Sequence, residues 1–199
     1  MNQHLLNKKT MEIIEKKKEL RAQFKLKREQ LGEEEIKLKS QLITKKVLSL
    51  SEFKKAKNIM CYVSKDTEVF THALIKKILE IGKTVSVPFI VKRGIMKAAV
   101  IKDFSELVEA SFETLQPQTN NFLNEKIDLN LVPALAVSKK GERLGWGAGF
   151  YDRFISDYQP QLNLALIFDC QFVEELPATA FDQKIDGVMT ESQVLFIKQ

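Results

Sequence analysis

Apolar residues recur along the first quarter of the chain at the spacing of amphipathic helices. Between residues 11 and 31, side chains such as Leu20 and Phe24 lie four apart and therefore share one helical face. Gly32 and a run of three glutamates then mark a new start, after which the same spacing continues through residues 33–50. We predict two helices at the N-terminus.

From residue 58 onward, short apolar runs alternate with amphipathic stretches. The pattern predicts strands at residues 58–63, 84–88, 96–101, 128–137, 162–168, 187–190 and 194–197 and helices at residues 69–81 and 151–158. Residues 102–127 are less regular, and the polar residues 116–121 are typical of a loop. Strands that alternate with helices predict an α/β fold, here a three-layer α/β/α domain with a mostly parallel central sheet. Ligands of such folds lie outside the carboxyl ends of the strands.

The length and composition bound the number of domains and the environment. With 199 residues and 44% hydrophobic residues, the chain is long enough for one substantial core. We predict a single domain over residues 1–199, with disorder in residues 1–10. The sequence has no run of about 18 apolar residues, and its first residues lack an apolar signal core. We therefore expect a cytoplasmic monomer without a membrane segment.

The positive charge is concentrated near the N-terminus. Residues 1–57 contain 16 Lys and Arg against 8 Asp and Glu, although the whole chain has a net charge of only +5. A basic RNA-binding module in residues 8–57 is one interpretation. Aromatic residues that would stack on bases are sparse there, so we do not expect nucleic acid as a partner and favour a solvated basic face that also attracts a small anion.

The cysteines and histidines do not indicate a catalytic or metal centre. Cys61 and Cys170 lie in apolar runs, where a free thiol is usually an inert packing residue. His4 and His72 are far apart and lack the spacing of zinc ligands.

The segment that carries the most chemical information reads Gly145-x-Gly147-x-Gly149, between a predicted strand and a predicted helix. Backbone N–H groups of such a loop, together with a helix N-terminus, favour phosphate. The spacing fits neither the Walker motif nor the dinucleotide fingerprint, and a tight turn that needs positive φ is the alternative. Arg143 before the loop suits phosphate oxygens, and Asp152 after it suits Mg²⁺.

The wider pattern resembles a known enzyme family. Residues 132–136 read Val-Pro-Ala-Leu-Ala, and residues 141–152 read Gly-x-Arg-Leu-Gly-x-Gly-x-Gly-Phe-Tyr-Asp. Together they resemble the signature of the 5-formyltetrahydrofolate cyclo-ligases, also called methenyltetrahydrofolate synthetases. Lys17 with Arg21, Glu68 after Tyr-Val-Ser, and Asp182 resemble further family motifs in the same order along the chain.

The resemblance implies an ATP-dependent closure of 5-formyltetrahydrofolate to 5,10-methenyltetrahydrofolate, with release of ADP and phosphate and with Mg²⁺ as cofactor. It assigns ATP to Lys17, Arg21, Arg143, Leu144, Gly145, Trp146, Gly147, Ala148, Gly149, Phe150 and Tyr151. It assigns the folate substrate to Glu68, Trp146, Ala148, Gly149, Phe150 and Tyr151. Arg143, Tyr151 and Asp152 are the implied catalytic residues, and Asp152 and Asp182 are the implied Mg²⁺ ligands.

Three positions depart from the family pattern. Ser138 stands where many members have Asp, Ala148 where some have Lys or Gly, and Phe181 where His is common. These departures keep open the alternative of a folate- or nucleotide-binding relative with weak or altered activity.

Overall fold

The computed structural model describes residues 3–110, 114–118 and 121–197, and it gives side chains from residue 10 onward. In chain order the helices are α1 (Gln3–Glu29), α2 (Glu33–Ser49), α3 (Ser51–Lys55), α4 (His72–Glu80) and α5 (Phe150–Tyr158). The strands are β1 (Asn58–Cys61), β2 (Thr84–Lys92), β3 (Ile95–Ile101), β4 (Leu107–Ala110), β5 (Thr114–Pro117), β6 (Leu129–Pro133), β7 (Ala136–Ser138), β8 (Arg143–Leu144), β9 (Asn163–Leu166), β10 (Phe172–Val173), β11 (Gly187–Met189) and β12 (Val194–Phe196).

A mostly parallel sheet forms the centre of the fold. Within the described residues it has seven strands in the order β12-β11-β9-β6-β1-β2-β3. The five inner strands are parallel, and β12 and β3 pair antiparallel at the two edges. The predicted α/β class with a mostly parallel sheet is confirmed. No described helix is long and apolar enough to cross a membrane.

Helices cover the sheet on both faces because side chains alternate along each strand. Ile59 and Cys61 of β1 point into a core shared with α2 and α4, where Ile43 and Leu74 are fully buried. Met60, between them, packs on the other face against Phe154 of α5. The two cores correspond to the predicted layers, and the prediction of one domain over residues 1–199 stays a prediction.

The first helix begins earlier than the sequence pattern suggests. It starts at Gln3, whereas we predict disorder for residues 1–10, of which residues 1 and 2 lie outside the described part. The segment contains neither Gly nor Pro to stop a helix, and Leu, Lys and Gln are good helix formers. The buried face of α1 also differs from a purely apolar stripe, because Lys17 and Arg28 are buried beside Phe24.

Several short strands were not predicted. Residues 102–127, expected to be irregular, contain the antiparallel pair β4 and β5. The predicted strand 128–137 divides at Ala134 and Leu135 into β6, which stays in the main sheet, and β7, which pairs with β8 and β10 in a small second sheet. Strands of two or three residues are too short to show an alternating pattern.

The two cysteines are free thiols, as predicted for packing residues. Burial raises the pKa of both thiols, that of Cys61 to well above neutrality, so both are protonated and poor nucleophiles at neutral pH.

Candidate active site

A cleft of about 1160 Å³ lies beyond the carboxyl ends of β1 and β6. Its lining comes from α1, from the segment after β1, from the glycine-rich loop with the start of α5, and from residues 180–183. Its volume exceeds the range of about 300–1,000 Å³ that is usual for a single small ligand. The predicted site residues all line this cleft: Lys17, Arg21, Glu68, Arg143, Leu144, Gly145, Trp146, Gly147, Ala148, Gly149, Phe150, Tyr151, Asp152 and Asp182.

The glycines of the loop leave room for arginine side chains. An added Cβ would lie within about 3 Å of a guanidinium at each of the three positions: 2.6 Å from Arg143 Nη1 at Gly145, 3.1 Å from Arg21 Cζ at Gly147, and 2.8 Å from Arg153 Nη1 at Gly149. Two of these glycines also have positive φ, 102° at Gly147 and 67° at Gly149. The loop therefore needs glycine for two reasons: the positive φ of a tight turn, and the space that the arginine side chains occupy.

Arg21 and Arg153 hold the loop by its carbonyl groups. Nε of Arg21 donates to the carbonyl oxygen of Gly145 at 2.9 Å. Nη2 of Arg153 donates to that of Ala148 at 2.5 Å, and its Nε reaches the carbonyl oxygen of Gly94 in the turn between β2 and β3. The loop is thus tied to α1 at its start and to α5 and the β2–β3 turn at its end.

Arg143 and Asp152 form an ion pair at the start of α5. Nη2 of Arg143 lies 3.0 Å from Oδ1 of Asp152, and the arginine side chain is almost completely buried. The same carboxylate oxygen accepts from the backbone N–H of Gln183 at 3.2 Å. This last contact brings the segment that contains Asp182 next to Asp152.

Asp182 is paired with Lys17 rather than free. The Nζ of Lys17 lies 2.6 Å and 2.5 Å from the two carboxylate oxygens, and Oδ2 also accepts from the backbone and hydroxyl of Thr179. Burial works against ionisation of Asp182, but the hydrogen bonds from Lys17 and Thr179 outweigh it and lower the pKa of the carboxyl group. Among the described residues, no three His, Cys, Asp or Glu side chains cluster as a metal site.

Glu68 lines the cleft and is hydrogen-bonded to the glycine-rich loop. Its Oε1 accepts from the indole Nε1 of Trp146 at 3.1 Å, and its Oε2 accepts from the backbone N–H of Lys65. Burial raises the pKa of Glu68 above its usual value, while the Lys65 amide, the charge of Arg28 and the indole oppose that rise. The residues assigned to folate and to phosphate are therefore in direct contact.

The remaining loop residues divide between cleft and core. Burial raises the pKa of Tyr151 well above its usual value and outweighs the Arg143 guanidinium, which lies 5.5 Å from the ring centroid and favours the phenolate. The phenol therefore stays protonated at neutral pH. The side chain of Leu144 is buried against Phe24, and its carbonyl oxygen accepts from the backbone N–H of Leu135.

The three departures from the family pattern have different surroundings. Ser138 is buried away from the cleft, where its hydroxyl donates to Glu142 and accepts backbone bonds that close the turn between β7 and β8. Ala148 and Phe181 line the cleft, and the Phe181 ring is 85% exposed. Ser138 therefore performs a local turn role that needs no ligand.

Sequence reasoning missed Arg28. Its side chain is 1% exposed, its Nε donates to Thr67 Oγ1 at 2.9 Å, and its guanidinium lies 5.3 Å from the centroid of the Trp146 ring. Lys17, Arg21, Phe24 and Arg28 follow the spacing of one helical face, and this spacing was the available signal.

Comparison with known proteins now decides the family. The sequence profile described as the 5-formyltetrahydrofolate cyclo-ligase family matches residues 13–191, which is most of the chain. The chain belongs to this family. The resemblance seen in the glycine-rich motif is thereby confirmed.

Individual cyclo-ligases agree with this assignment. The chain is 32% identical to the 5-formyltetrahydrofolate cyclo-ligase of Haemophilus influenzae over 157 residues, which cover 75% of this chain and 83% of that protein. It is 28% identical to the cyclo-ligase of Mus musculus, with 88% of this chain and 93% of the relative covered. The NMR structure of the Aquifex aeolicus 5,10-methenyltetrahydrofolate synthetase is 29% identical and superposes with a TM-score of 0.83, covering 92% of this chain and 93% of that one.

Proposed function

We propose that this protein is an ATP-dependent 5-formyltetrahydrofolate cyclo-ligase that forms 5,10-methenyltetrahydrofolate and releases ADP and phosphate. Membership of the family supports this activity. The observation that carries it here is one cleft in which Lys17, Arg21 and Arg143 lie around a glycine-rich loop while Glu68 contacts that same loop. Two ligands that must react with each other need such a shared space.

The chemistry requires positioning more than a protein nucleophile. The γ-phosphoryl group passes from ATP to the formyl oxygen. The neighbouring folate N–H nitrogen then attacks the activated carbon and loses its proton, and the C–O bond breaks to release phosphate. Charge neutralisation and alignment supply most of the catalysis in phosphoryl transfer. We assign this work to Lys17, Arg21, Arg143 and the backbone amides of residues 145–149.

Mg²⁺ is the proposed cofactor, and Asp152 and Asp182 are its proposed ligands. Mg²⁺ at a nucleotide is commonly held by one or two carboxylates together with phosphate oxygens and waters, so this donor set fits the ion. Each carboxylate is neutralised by a cation of the protein, Asp152 by Arg143 and Asp182 by Lys17. Asp152 and Asp182 would hold the ion, which would neutralise charge on the phosphates, and the Lys17 ammonium beside Asp182 would contact the same phosphates.

The folate pterin is the proposed ligand of Glu68. A carboxylate accepts hydrogen bonds from amino and ring nitrogens, and burial strengthens such bonds. Phe150, Tyr151 and Trp146 offer aromatic surface in the same cleft. We assign Tyr151 and Asp152, with Arg143, to the region where phosphoryl transfer takes place.

We further propose a cytoplasmic location. We also propose a monomer, because the side chains assigned to both ligands come from one chain. The rival function, RNA binding by residues 8–57, uses the same helix differently. Part of its basic charge, at Lys17, Arg21 and Arg28, is directed to the cleft and to Trp146. A steep linear dependence of RNA affinity on salt would favour the rival.

Formation of the methenyl chromophore tests the proposal. The protein, 5-formyltetrahydrofolate and Mg-ATP should give an increase in methenyl absorbance with stoichiometric ADP. Omission of ATP, or chelation of Mg²⁺, should abolish it. Product formed at an equal rate without nucleotide would contradict the mechanism.

A further inference from the structure

Arg28 is a buried cation that no step of the proposed reaction uses. It lies on α1, where its exposed fraction is 1%, and burial lowers the pKa of its guanidinium despite the nearby acidic groups. Removal of a charge from water is expensive unless the surroundings compensate for it. The contacts of the Arg28 side chain therefore indicate which groups in the protein this buried charge acts on.

Two contacts connect Arg28 to the surroundings of Glu68. Its Nε donates to Oγ1 of Thr67, which is part of the turn of residues 65–68. Its guanidinium also lies 5.3 Å from the ring centroid of Trp146, whose indole donates to Glu68. The turn and the indole are the two structures that hold the Glu68 carboxylate.

Hydrogen bonds within the turn of residues 65–68 fix the position of Glu68. The backbone N–H of Glu68 donates to the carbonyl oxygen of Lys65 at 3.0 Å, and the Glu68 carboxylate accepts from the backbone N–H of Lys65 in return. Asp66, inside the turn, has a φ of 49°, a left-handed conformation that is costly for a residue other than glycine. A side chain that anchors Thr67 helps to maintain this conformation.

We infer that Arg28 positions the Glu68 carboxylate, acting through the turn of residues 65–68 and through the indole of Trp146. Its charge also favours the ionised form of Glu68, which burial disfavours. Other titratable groups that act on Glu68 come from several elements: Tyr62 after β1, Lys65 of the turn and Tyr151 of α5. The effect on folate rests on the proposed function, whereas the effect on Glu68 does not.

The single tryptophan makes the inference measurable without substrate. Trp146 donates to Glu68, so protonation of that carboxylate removes an anion next to the indole and should change its emission. We expect a transition in Trp146 emission, with its midpoint above the ordinary pKa of a glutamate, that is absent in Glu68→Gln, which identifies it with Glu68.

Arg28→Met should shift the midpoint of this transition to higher pH, because the ionised carboxylate loses a neighbouring cation. Lys25→Met is the matched control, since it removes a cation from the same helix at a side chain that is more than half exposed. Its midpoint should equal that of the unaltered protein. An equal midpoint in Arg28→Met would overturn the inference.

Ligand measurements separate positioning from a general loss of structure. Arg28→Met should raise the KM for 5-formyltetrahydrofolate about ten-fold and the KM for ATP less than about two-fold. Equal increases for both ligands would contradict the inference. If Arg28→Met does not fold, Thr67→Val is the second test. This variant removes the hydroxyl that accepts from Arg28 but keeps the charge of Arg28, so the KM for folate should rise while the midpoint of the emission transition stays the same. An unchanged KM for folate would count against the inference.

The two proposals fail in different ways. Absence of methenyl product from the unaltered protein would remove the proposed function, while the emission titration would still decide the role of Arg28. An unshifted titration together with full activity would remove the role of Arg28 alone.

Discussion

The Nζ atom of Lys17 lies 2.5 Å from Oδ2 of Asp182, so a residue assigned to phosphate and a residue assigned to Mg²⁺ form an ion pair with each other. The two side chains are 165 positions apart in sequence, and their bond fastens α1 to the segment before β11. Binding of Mg-ATP by both residues would exchange this ion pair for two others. The pair therefore holds the two groups next to each other at the cleft.

Asp182→Asn should lower the free energy of unfolding at pH 7 by about 1–3 kcal/mol, between the values for exposed and buried pairs. The folded-state pKa of Asp182 is lowered, so its contribution is present above the ordinary carboxyl pKa and is lost as the pH falls through the folded value. Urea unfolding at several pH values should show the difference shrinking toward acid. Glu80→Gln, which breaks the exposed pair with Lys77, is the control and should change stability by less than about 0.5 kcal/mol.

Gly147→Ala should weaken Mg-ATP binding about ten-fold or more and lower the melting temperature. The new Cβ would lie 3.1 Å from Cζ of Arg21, and the φ of 102° is strained for alanine. Calorimetry and thermal unfolding measure the two effects. Gly32→Ala is the matched control, because φ is −67° there and no atom lies within 4 Å. Similar losses in both variants would contradict the prediction.

Mg-ADP should change the emission of Trp146 in a saturable way. The indole is 42% exposed and lies inside the loop whose amides are proposed to close on the phosphates. Arg21→Met should weaken the response, since Nε of Arg21 donates to the carbonyl oxygen of the preceding residue, Gly145. An emission spectrum that stays constant at saturating nucleotide would indicate a loop that is already in its bound form.

Phe181→Ala should leave the melting temperature within about 1 °C, because a ring that is 85% exposed adds little to the core. Phe181 lines the cleft next to Asp182. Loss of its apolar surface should raise the KM for ATP a few-fold and leave the KM for folate unchanged. Steady-state kinetics with each substrate varied in turn distinguish this result from a rise in the folate KM alone.

Much of the fold follows from local patterns. Residues 58–61 and 163–166 are strands that sequence reasoning found, since apolar side chains buried on both faces of a parallel sheet form continuous runs. The pair β4 and β5 escaped because residues 107–110 are mainly exposed and give no apolar run. The two strands are neighbours in sequence, with Ala110 opposite Thr114, but the mainly exposed side chains of β4 show no alternation that would reveal the pair.

The site divides in a similar way. The glycine-rich loop and its flanking Arg143 and Asp152 were found because their spacing is specific. The ion pair between Lys17 and Asp182 could not be predicted, since nothing local relates two residues on different elements. Arg28 was hidden among many basic residues of α1, and only its spacing from the two assigned residues of that helix distinguishes it.

The way in which α1 is attached to the domain makes this helix the first element expected to unfold locally. Phe24 is the one buried apolar side chain in the described part of this helix, and Leu20 packs beside it only partly buried. Lys17, Arg21 and Arg28 make hydrogen bonds to other parts of the domain. The large core instead involves α2, α3 and α4. Local opening of α1 would thus make the backbone beside its many lysines accessible to a protease such as trypsin while the sheet stays folded. A bound nucleotide that engages Lys17 and Arg21 would slow that cleavage.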